Sequence, residues 1–248
     1  LTPVWEAGGV SLQLILRIDG ALRELRRLPA SLHDALVLEW KRQAELAIEE
    51  PSRPQEGRAR FVFGEMQVPL RVAMVPTLYG DKVTVRALPT RIPTMAELKI
   101  AKPPLTEWLR KQHGLLLIVG PTGSGKATTQ AAFTRELQTL YPYHIMTVED
   151  PVMFLFPPGV TQLKVTPQAA ADGLRAALHH DPDVIVLGEM GYDAELAQRA
   201  VFVADAGHLV LACLHAHDAT APLQDFLDLG VKKSMLAGNL IGVVYQQL

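Results

Sequence analysis

The chain has 248 residues, 48% of them hydrophobic, and a formal net charge of −2. This near-neutral charge argues against a large nucleic-acid-binding surface, and the apolar content is sufficient for one large or two modest domains. The single cysteine, Cys213, excludes an internal disulfide and fits a reducing compartment, and no apolar run is long enough to cross a bilayer.

Residues 1–90 are predicted to form a small domain of mixed strands and helix. A strand over 11–18 leads into a hairpin-type turn at Asp19-Gly20, and Ser31 is predicted to cap a helix over 32–48 with one apolar face. A proline-containing break follows. Two or three strands are then predicted, over 59–63, 66–75 and 82–88.

Alternation in two of these strands places two arginines on the same side of the sheet. Arg71 alternates with the apolar residues of its strand, and Arg86 does so in the neighbouring strand. From these strands alone, two solvated arginines are the favoured interpretation, and an outside partner that both contact is the alternative. The densest basic group is likewise interpreted as a solvated helix face: Arg23, Arg26 and Arg27.

The proline-rich stretch 91–104 is predicted as a linker to a second domain over 105–248. A short helix ended by Gly114 opens this domain, which then alternates strands and helices. The predicted strands cover 115–119, 145–148, 184–187 and 209–214, and the helices cover 129–140 and 173–180. Such alternation predicts a mostly parallel α/β sheet whose ligand binds at the carboxyl ends of the strands. Because the chain stops within an apolar helical pattern, we expect a fragment of a longer protein.

A glycine-rich stretch joins the strand 115–119 to its helix. Its residues are Gly120, Pro121, Thr122, Gly123, Ser124, Gly125, Lys126, Ala127, Thr128 and Thr129. Strand, glycine-rich turn and helix N-terminus are the context of a phosphate-binding loop, in which backbone N–H groups and the helix dipole face phosphate and Lys126 reaches its terminal groups. One position departs from this motif. The residue after the lysine is normally Ser or Thr, whose hydroxyl binds Mg²⁺, and here it is Ala127.

Carboxylates end two of the other strands. Glu189 follows the strand 184–187, and is interpreted as the acid that holds Mg²⁺ through water or polarises the attacking water; a helix cap is the alternative. Glu149 and Asp150 follow the strand 145–148. One of them is predicted to orient water near the terminal phosphate, and the other to cap the next turn.

Two histidines flank the strand 209–214. His215 lies at the carboxyl end, where a sensor of the terminal phosphate belongs, whereas His208 lies at the opposite end, roughly 20 Å away in a regular strand. A structural or subunit-contact role is therefore predicted for His208. Another group lacks the spacing of zinc ligands and is not interpreted as a metal site: His179, His180, Asp181 and Asp183.

The order of these motifs resembles that of the secretion ATPase superfamily, specifically the type II secretion and type IV pilus assembly or retraction ATPases. The phosphate loop carries the resemblance together with residues 17–20, 71–86, 147–151, 174–189 and 207–218. It covers nearly the whole chain, and motifs that follow one another in the family order make it specific.

The resemblance implies a PAS-like α+β domain followed by a RecA-like P-loop ATPase domain. It implies a homo-oligomer, a hexameric ring, with ATP and Mg²⁺ as cofactors between the domains and neighbouring subunits. It also implies a cytoplasmic location peripheral to the inner membrane, through a platform protein of a secretion or pilus system. Neither nucleic-acid binding nor direct membrane insertion is implied.

The family's arginines can be matched to positions in this chain. Arg71 and Arg86 match its N-terminal arginines that contact ATP phosphates, which reverses the interpretation drawn from alternation alone. Arg175 matches the first of two arginines on the helix before the Walker B strand. His179 stands where the second of these arginines belongs, and is only partly charged at neutral pH.

The family's acids and histidines match as well. Glu149 matches the Asp-box glutamate and Glu189 the Walker B glutamate, both expected to hold Mg²⁺, directly or through water. His208 and His215 match the His-box histidines. After Glu189 an arginine of the family pattern is replaced by Gly191.

Three departures thus remove a metal ligand or a positive charge: Ala127, His179 and Gly191. The first hypothesis is a hexameric motor ATPase with weakened hydrolysis that drives pilin or pseudopilin assembly or protein secretion. The second is a nucleotide-binding pseudo-ATPase with a structural or regulatory role in the same machine. A homologue from conjugation or type IV secretion is disfavoured by residues 17–20 and 76–81.

Overall fold

The computed structural model describes residues 2–6, 9–18, 21–49, 53–64 and 66–247. The chain divides into two compact units, Leu1–Thr90 and Arg91–Leu248. The predicted turn at Asp19-Gly20 lies outside the described residues. Within the described ranges, no helix combines the length and the apolar character that crossing a membrane requires.

The first unit combines two antiparallel three-stranded sheets with one helix. Their strands pair in the orders β1-β2-β3 and β4-β5-β6. The elements are β1 (Thr2–Glu6), β2 (Gly9–Ile18), β3 (Ala21–Pro29), α1 (His33–Gln43), β4 (Gln55–Phe63), β5 (Met66–Thr77) and β6 (Gly80–Ala87). Helix α1 packs on one face of the second sheet, where Val37 meets Leu70, Val72, Met74 and Val83 in a common core. Alternation along β5 and β6 produces this apolar face.

Three predictions for this unit are wrong. The basic group around Arg26 lies on strand β3 rather than on a helix, because this segment pairs with β2 on both sides of a single register shift. Ser31 lies in a short 3₁₀ turn, Ala30–Leu32, and caps no helix with its side chain. Helix α1 ends at Gln43, before the predicted residue 48, since Glu45 is left-handed (φ 55°) and Leu46 N–H donates to Lys41 O at 2.9 Å. This is the closure of a Schellman motif.

The second unit is built on a six-stranded sheet, in the order β12-β7-β11-β10-β8-β9. Each neighbouring pair of strands is parallel, which confirms the predicted α/β class. The elements are α2 (Leu105–Trp108), β7 (Gly114–Val119), α3 (Lys126–Leu140), β8 (Ile145–Glu149), β9 (Val160–Lys164), α4 (Ala170–Leu178), β10 (Val184–Glu189), α5 (Ala194–Asp205), β11 (Leu209–Leu214), α6 (Ala221–Asp228), α7 (Lys233–Asn239) and β12 (Leu240–Tyr245).

Helices cover both faces of this sheet. On one face, residues such as Leu174 of α4 and Ala200 of α5 pack against alternate residues of the strands. On the other face, Phe133 of α3 packs together with Leu109 and Met95. Met95 belongs to the stretch 91–104, predicted as a linker, and it is 1% exposed within the second unit. Because both faces are covered, β7, β8 and β11 are buried throughout their length.

The edges of this sheet differ from the sequence prediction. Strands β9 and β12 were not predicted, and the apolar helical pattern expected at the chain end is wrong over 240–245, where β12 pairs with β7. The stretch is short and apolar in every position, so periodicity alone does not separate strand from helix. Gly114 begins β7 instead of ending the short helix α2.

Candidate nucleotide-binding site

The carboxyl ends of four parallel strands meet at one edge of the second unit's sheet. Val119 of β7 is paired with Leu214 of β11, and Leu187 of β10 is paired with Val148 of β8. The phosphate loop follows β7 and His215 follows β11, while Glu189 and Glu149 are the last residues of β10 and β8. The predicted convergence of these groups is therefore realised in the fold.

Backbone geometry at the start of the loop requires glycine. Gly120 has φ 156°, and a Cβ there would lie 2.1 Å from the backbone oxygen of Gln246, which follows β12. Gly125 is left-handed (φ 86°) and precedes the first residue of α3. The Ser124 hydroxyl between them is buried and has no hydrogen-bond partner among the described residues. A buried hydroxyl beside the N-terminus of a helix can be satisfied by an anion bound in the loop.

Lys126 is the centre of a chain of polar contacts at the mouth of the loop. Its ammonium, 8% exposed as a residue, donates to Gly120 O at 2.9 Å and to Pro121 O at 3.1 Å. It also donates to His215 Nδ1 at 3.3 Å, and His215 Nε2 contacts Glu189 Oε1. The two nitrogens of one imidazole ring thus face the ammonium of Lys126 and the carboxylate of Glu189. Three residues from different strand ends are thus in direct contact.

Glu149 is held on the other side of Glu189 by a buried polar network. It is 8% exposed, and its Oε1 accepts a hydrogen bond from Gln162 Nε2 at 3.2 Å. The same amide donates to Phe154 O at 2.9 Å, while its oxygen accepts from Phe156 N–H at 3.0 Å. Gly188 of β10 lies directly against Glu149, since a Cβ there would lie 3.3 Å from Glu149 Cα.

The carboxylates are the candidate Mg²⁺ ligands at this edge, and no hydroxyl directly follows Lys126. Ala127 carries none, and the Thr129 hydroxyl donates to Gln246 Oε1 at 2.8 Å. Within the described part of the chain, no group of three or more His, Cys, Asp or Glu residues could hold a metal ion. Glu149 and Glu189 are ligands of the type that Mg²⁺ takes, so they fit an ion that shares its coordination with phosphate oxygens and water.

Two of the predicted site residues, Arg175 and His208, have contacts with groups outside the phosphate loop and the two acids at the strand ends. The guanidinium of Arg175 pairs with Asp172 at 2.9 Å and approaches Glu195 at 3.6 Å on an exposed surface. His179 caps the carboxyl end of the same helix. His208 precedes β11, and its Nδ1 lies 3.1 Å from Val203 O, so it stands at the end of the strand opposite His215.

In the first unit, the arginines at 71 and 86 belong to a row of three. Arg71 is paired with Arg86 on β6 and with Arg58 on β4, so all three point to the face that α1 leaves open. Glu56 binds Arg71 through two contacts of 2.5 Å. Arg58 was not among the predicted site residues, although alternation along β4 places it on the same face. Gln162 and Gln246 were also missed, and no sequence pattern marks them.

The second unit's parallel sheet and its glycine-rich loop define a RecA-like P-loop fold. A family model described as "Type II/IV secretion system protein" matches residues 5–248. The chain therefore belongs to the type II/IV secretion system protein family.

Individual relatives agree with this assignment. The type II secretion system protein HxcR of Pseudomonas aeruginosa is 40% identical over 240 residues, which are 94% of this chain and 50% of that protein. The type IV pilus assembly ATPase PilB of Thermus thermophilus is 39% identical over 244 residues, 95% of this chain and 27% of that protein. The chain thus spans half or less of these two relatives.

A solved structure, that of the pilus retraction motor PilT with bound ADP, superposes with a TM-score of 0.77 at 28% identity. The superposition covers 96% of this chain and 74% of PilT.

Proposed function

We propose that this chain binds ATP and hydrolyses it as part of a type II secretion or type IV pilus motor. Membership of the secretion family supports this, as do the names of relatives that are type II secretion proteins and pilus ATPases. The ADP bound to PilT supports nucleotide as the ligand. The observation that carries the proposal is the contact chain from Lys126 through His215 to Glu189 at the phosphate loop.

In this proposal, the loop from Gly120 to Thr129 cradles the phosphates with its N–H groups. Lys126 leaves its own loop carbonyls and neutralises the terminal phosphates. Glu189 polarises the attacking water, and His215, which contacts both residues, senses the terminal phosphate. The buried Ser124 hydroxyl gains a partner when phosphate enters.

Glu149 and Glu189 would hold the Mg²⁺ ion that accompanies ATP, directly or through water. The ion would supply charge neutralisation on the phosphate oxygens. Gln162 keeps Glu149 oriented while this happens, because it donates a hydrogen bond to one of the carboxylate oxygens.

The remaining predicted residues act between subunits in our proposal. Arg71 and Arg86 contact ATP phosphates in a homo-hexameric ring, Arg175 adds positive charge, and His208 contributes a structural or subunit contact. The ring docks on a platform protein of the inner membrane from the cytoplasmic side. Domain movement in the ring then drives pilin or pseudopilin assembly or protein secretion.

We propose further that hydrolysis is weakened, and one observation favours a pseudo-ATPase as the second candidate. Ala127 lacks the hydroxyl that binds Mg²⁺, and the Thr129 hydroxyl is already bound to Gln246. His179 and Gly191 remove two positive charges that the family pattern has. If these losses are decisive, the chain binds nucleotide and serves a structural or regulatory role.

A steady-state assay of Mg²⁺-dependent phosphate release by the full-length protein tests the first candidate, together with its size in solution with and without ATP. Glu189→Gln is expected to lower kcat by about a hundredfold or more, since it removes an acid that acts on the nucleophile. Turnover equal to that of Glu189→Gln would eliminate the motor ATPase and leave the pseudo-ATPase.

Ala127→Ser separates the two candidates further. It is expected to tighten Mg²⁺ binding roughly tenfold and to raise turnover, because it restores a metal ligand. Ala131→Ser is the matched control, one helical turn later on the same face and 4% exposed. An unchanged rate in Ala127→Ser beside a measurable wild-type rate would contradict weakened hydrolysis.

A further inference from the structure

Helix α3 carries one long amide side chain into the interior of the second unit. Gln130 lies four residues after Lys126, one turn further along α3, and is 5% exposed. Its Nε2 donates to Leu187 O at 2.7 Å and lies 3.5 Å from Leu211 O. These carbonyls belong to β10 and β11, the strands that lead to Glu189 and His215.

The first of these carbonyls lies where strand β10 is irregular. The register of β10 against β11 shifts between Leu187 and Glu189, so that Glu189 pairs with Cys213 one position early. A bulge of this kind redirects the side chain that follows it. Here it turns Glu189 out to 43% side-chain exposure, where it meets His215. Gln130 therefore binds the backbone at the point that sets the direction of Glu189.

Packing alone does not require an amide at this position. Gln130 lines a small cavity whose other walls are mostly apolar, with Thr134 and Glu149 as the polar members, and a methionine would fill the same space as the glutamine. Burial of an amide is favourable only where its hydrogen-bonding groups find partners. The short bond to Leu187 O supplies one, and it ties the helix of the phosphate loop to the bulge.

We propose that Gln130 is a positioning residue that sets the Glu189 carboxylate and couples it to the phosphate loop. Residues 126 and 130 share one rigid helix, so a displacement of the loop on binding phosphate moves the Gln130 amide and, through Leu187 O, the bulge. The inference rests on the proposed role of Glu189 in hydrolysis. In this proposal Gln130 acts through Leu187 O and contacts neither the nucleotide nor the attacking water.

The test is Gln130→Met in the full-length protein, a change that keeps length and volume but removes the N–H donor. Thr134→Val is the matched control. Its residue is fully buried on the same helix, and its hydroxyl binds only Gln130 O in the described contacts, at 2.9 Å, without reaching β10. Hydrogen–deuterium exchange is measured on a peptide covering 185–191, alongside kcat, KM and the Kd for a fluorescent ATP analogue.

For Gln130→Met we expect faster exchange over 185–191 and a kcat lowered by between about tenfold and a hundredfold, with KM and Kd within about twofold of wild type. Thr134→Val is expected to change none of these beyond about twofold. A merely structural glutamine would instead raise KM and Kd together with the loss of kcat.

Unchanged exchange over 185–191 in Gln130→Met would overturn the proposal, and so would faster exchange with kcat unaltered. The same variant distinguishes this failure from failure of the proposed function. If wild-type turnover equals that of Glu189→Gln, hydrolysis is excluded, and faster exchange in Gln130→Met still shows that Gln130 holds the bulge.

Discussion

In the second unit, every residue of β7, β8 and β11 is buried, whereas on β6 of the first unit only Val83 is buried. Helices cover both faces of the parallel sheet, but α1 covers one face of the β4-β5-β6 sheet. Where both faces are covered, polar functional groups are confined to strand ends, because a charge within the sheet would lack solvent. Where one face is open, polar functional groups can lie on that face, as Arg58, Arg71 and Arg86 do.

The largest effects should come from truncations inside the doubly covered sheet. Leu116→Ala and Leu117→Ala, at consecutive fully buried positions, are each expected to lower the free energy of unfolding by about 3 kcal/mol. On β5 the pattern should alternate: Val72→Ala costs about 1–3 kcal/mol and Val75→Ala, 42% exposed, less than about 0.5 kcal/mol. Urea denaturation measures these values. If Leu116→Ala and Leu117→Ala lowered the free energy of unfolding by very different amounts, the contrast between the doubly covered sheet and the half-open sheet would not hold.

Gly120→Ala tests the strand end where the covered sheet opens into the phosphate loop. A Cβ 2.1 Å from Gln246 O must push β12 and the loop apart, so we expect a loss of about 2–3 kcal/mol and weaker nucleotide binding. Gly191→Ala is the control, since its φ is 58° but, its chain neighbours apart, no atom of the described residues lies within 4 Å of the added Cβ. It should cost about 1 kcal/mol. Equal losses would mean that backbone conformation, not the contact with Gln246, decides the cost.

The covered sheet should also respond to pH through Cys213, which is buried on β11. Burial raises the pKa of this thiol far above its ordinary value, so the folded state keeps the proton when the unfolded chain releases it near pH 8.5. The free energy of unfolding should therefore fall above that pH, by up to about 1.4 kcal/mol per unit, and be unaffected below it. Denaturation between pH 7 and 9.5 measures the slope. The free energy of unfolding of Cys213→Ala should depend less on pH than that of the wild type. An identical slope would refute the assignment of the pH dependence to this thiol.

The smallest effect is expected on the open face of the first unit. Glu56→Gln removes the acid that binds Arg71, but both side chains are partly exposed, at 26% for Arg71 and 34% for Glu56. The loss should be less than about 1 kcal/mol and should shrink further in 0.5 M salt. Thermal unfolding at two salt concentrations checks this. A salt-independent loss above that size would show that the open face is more tightly constrained than its exposure indicates.

Much of the second unit could be predicted from the sequence because its signals are local. Apolar runs bounded by glycine or acid mark β7, β8, β10 and β11, and the loop motif marks the turn after β7. The residues that support the site were not predictable. Gln130, Gln162 and Gln246 come from separate segments, and their partners are mostly backbone atoms that only the sheet order brings near.

The first unit was predicted less well, since its elements depend on pairing. The segment 21–29 carries leucines and arginines at spacings that suit a helix, and it forms β3 because β2 lies beside it. Arg58 could be placed beside Arg71 and Arg86 only from the register of β4 against β5, which the sequence does not reveal.

By itself, the sequence determined the phosphate loop, the acids at the strand ends and the parallel sheet that places them at one edge. These features follow from residue type and from spacing over a few residues, so they do not depend on long-range contacts. The tertiary structure alone decided that Lys126, His215 and Glu189 touch, that a bulge directs Glu189, and that an amide of α3 holds this bulge. Those contacts join residues far apart in the chain, and packing of the complete sheet brings them together.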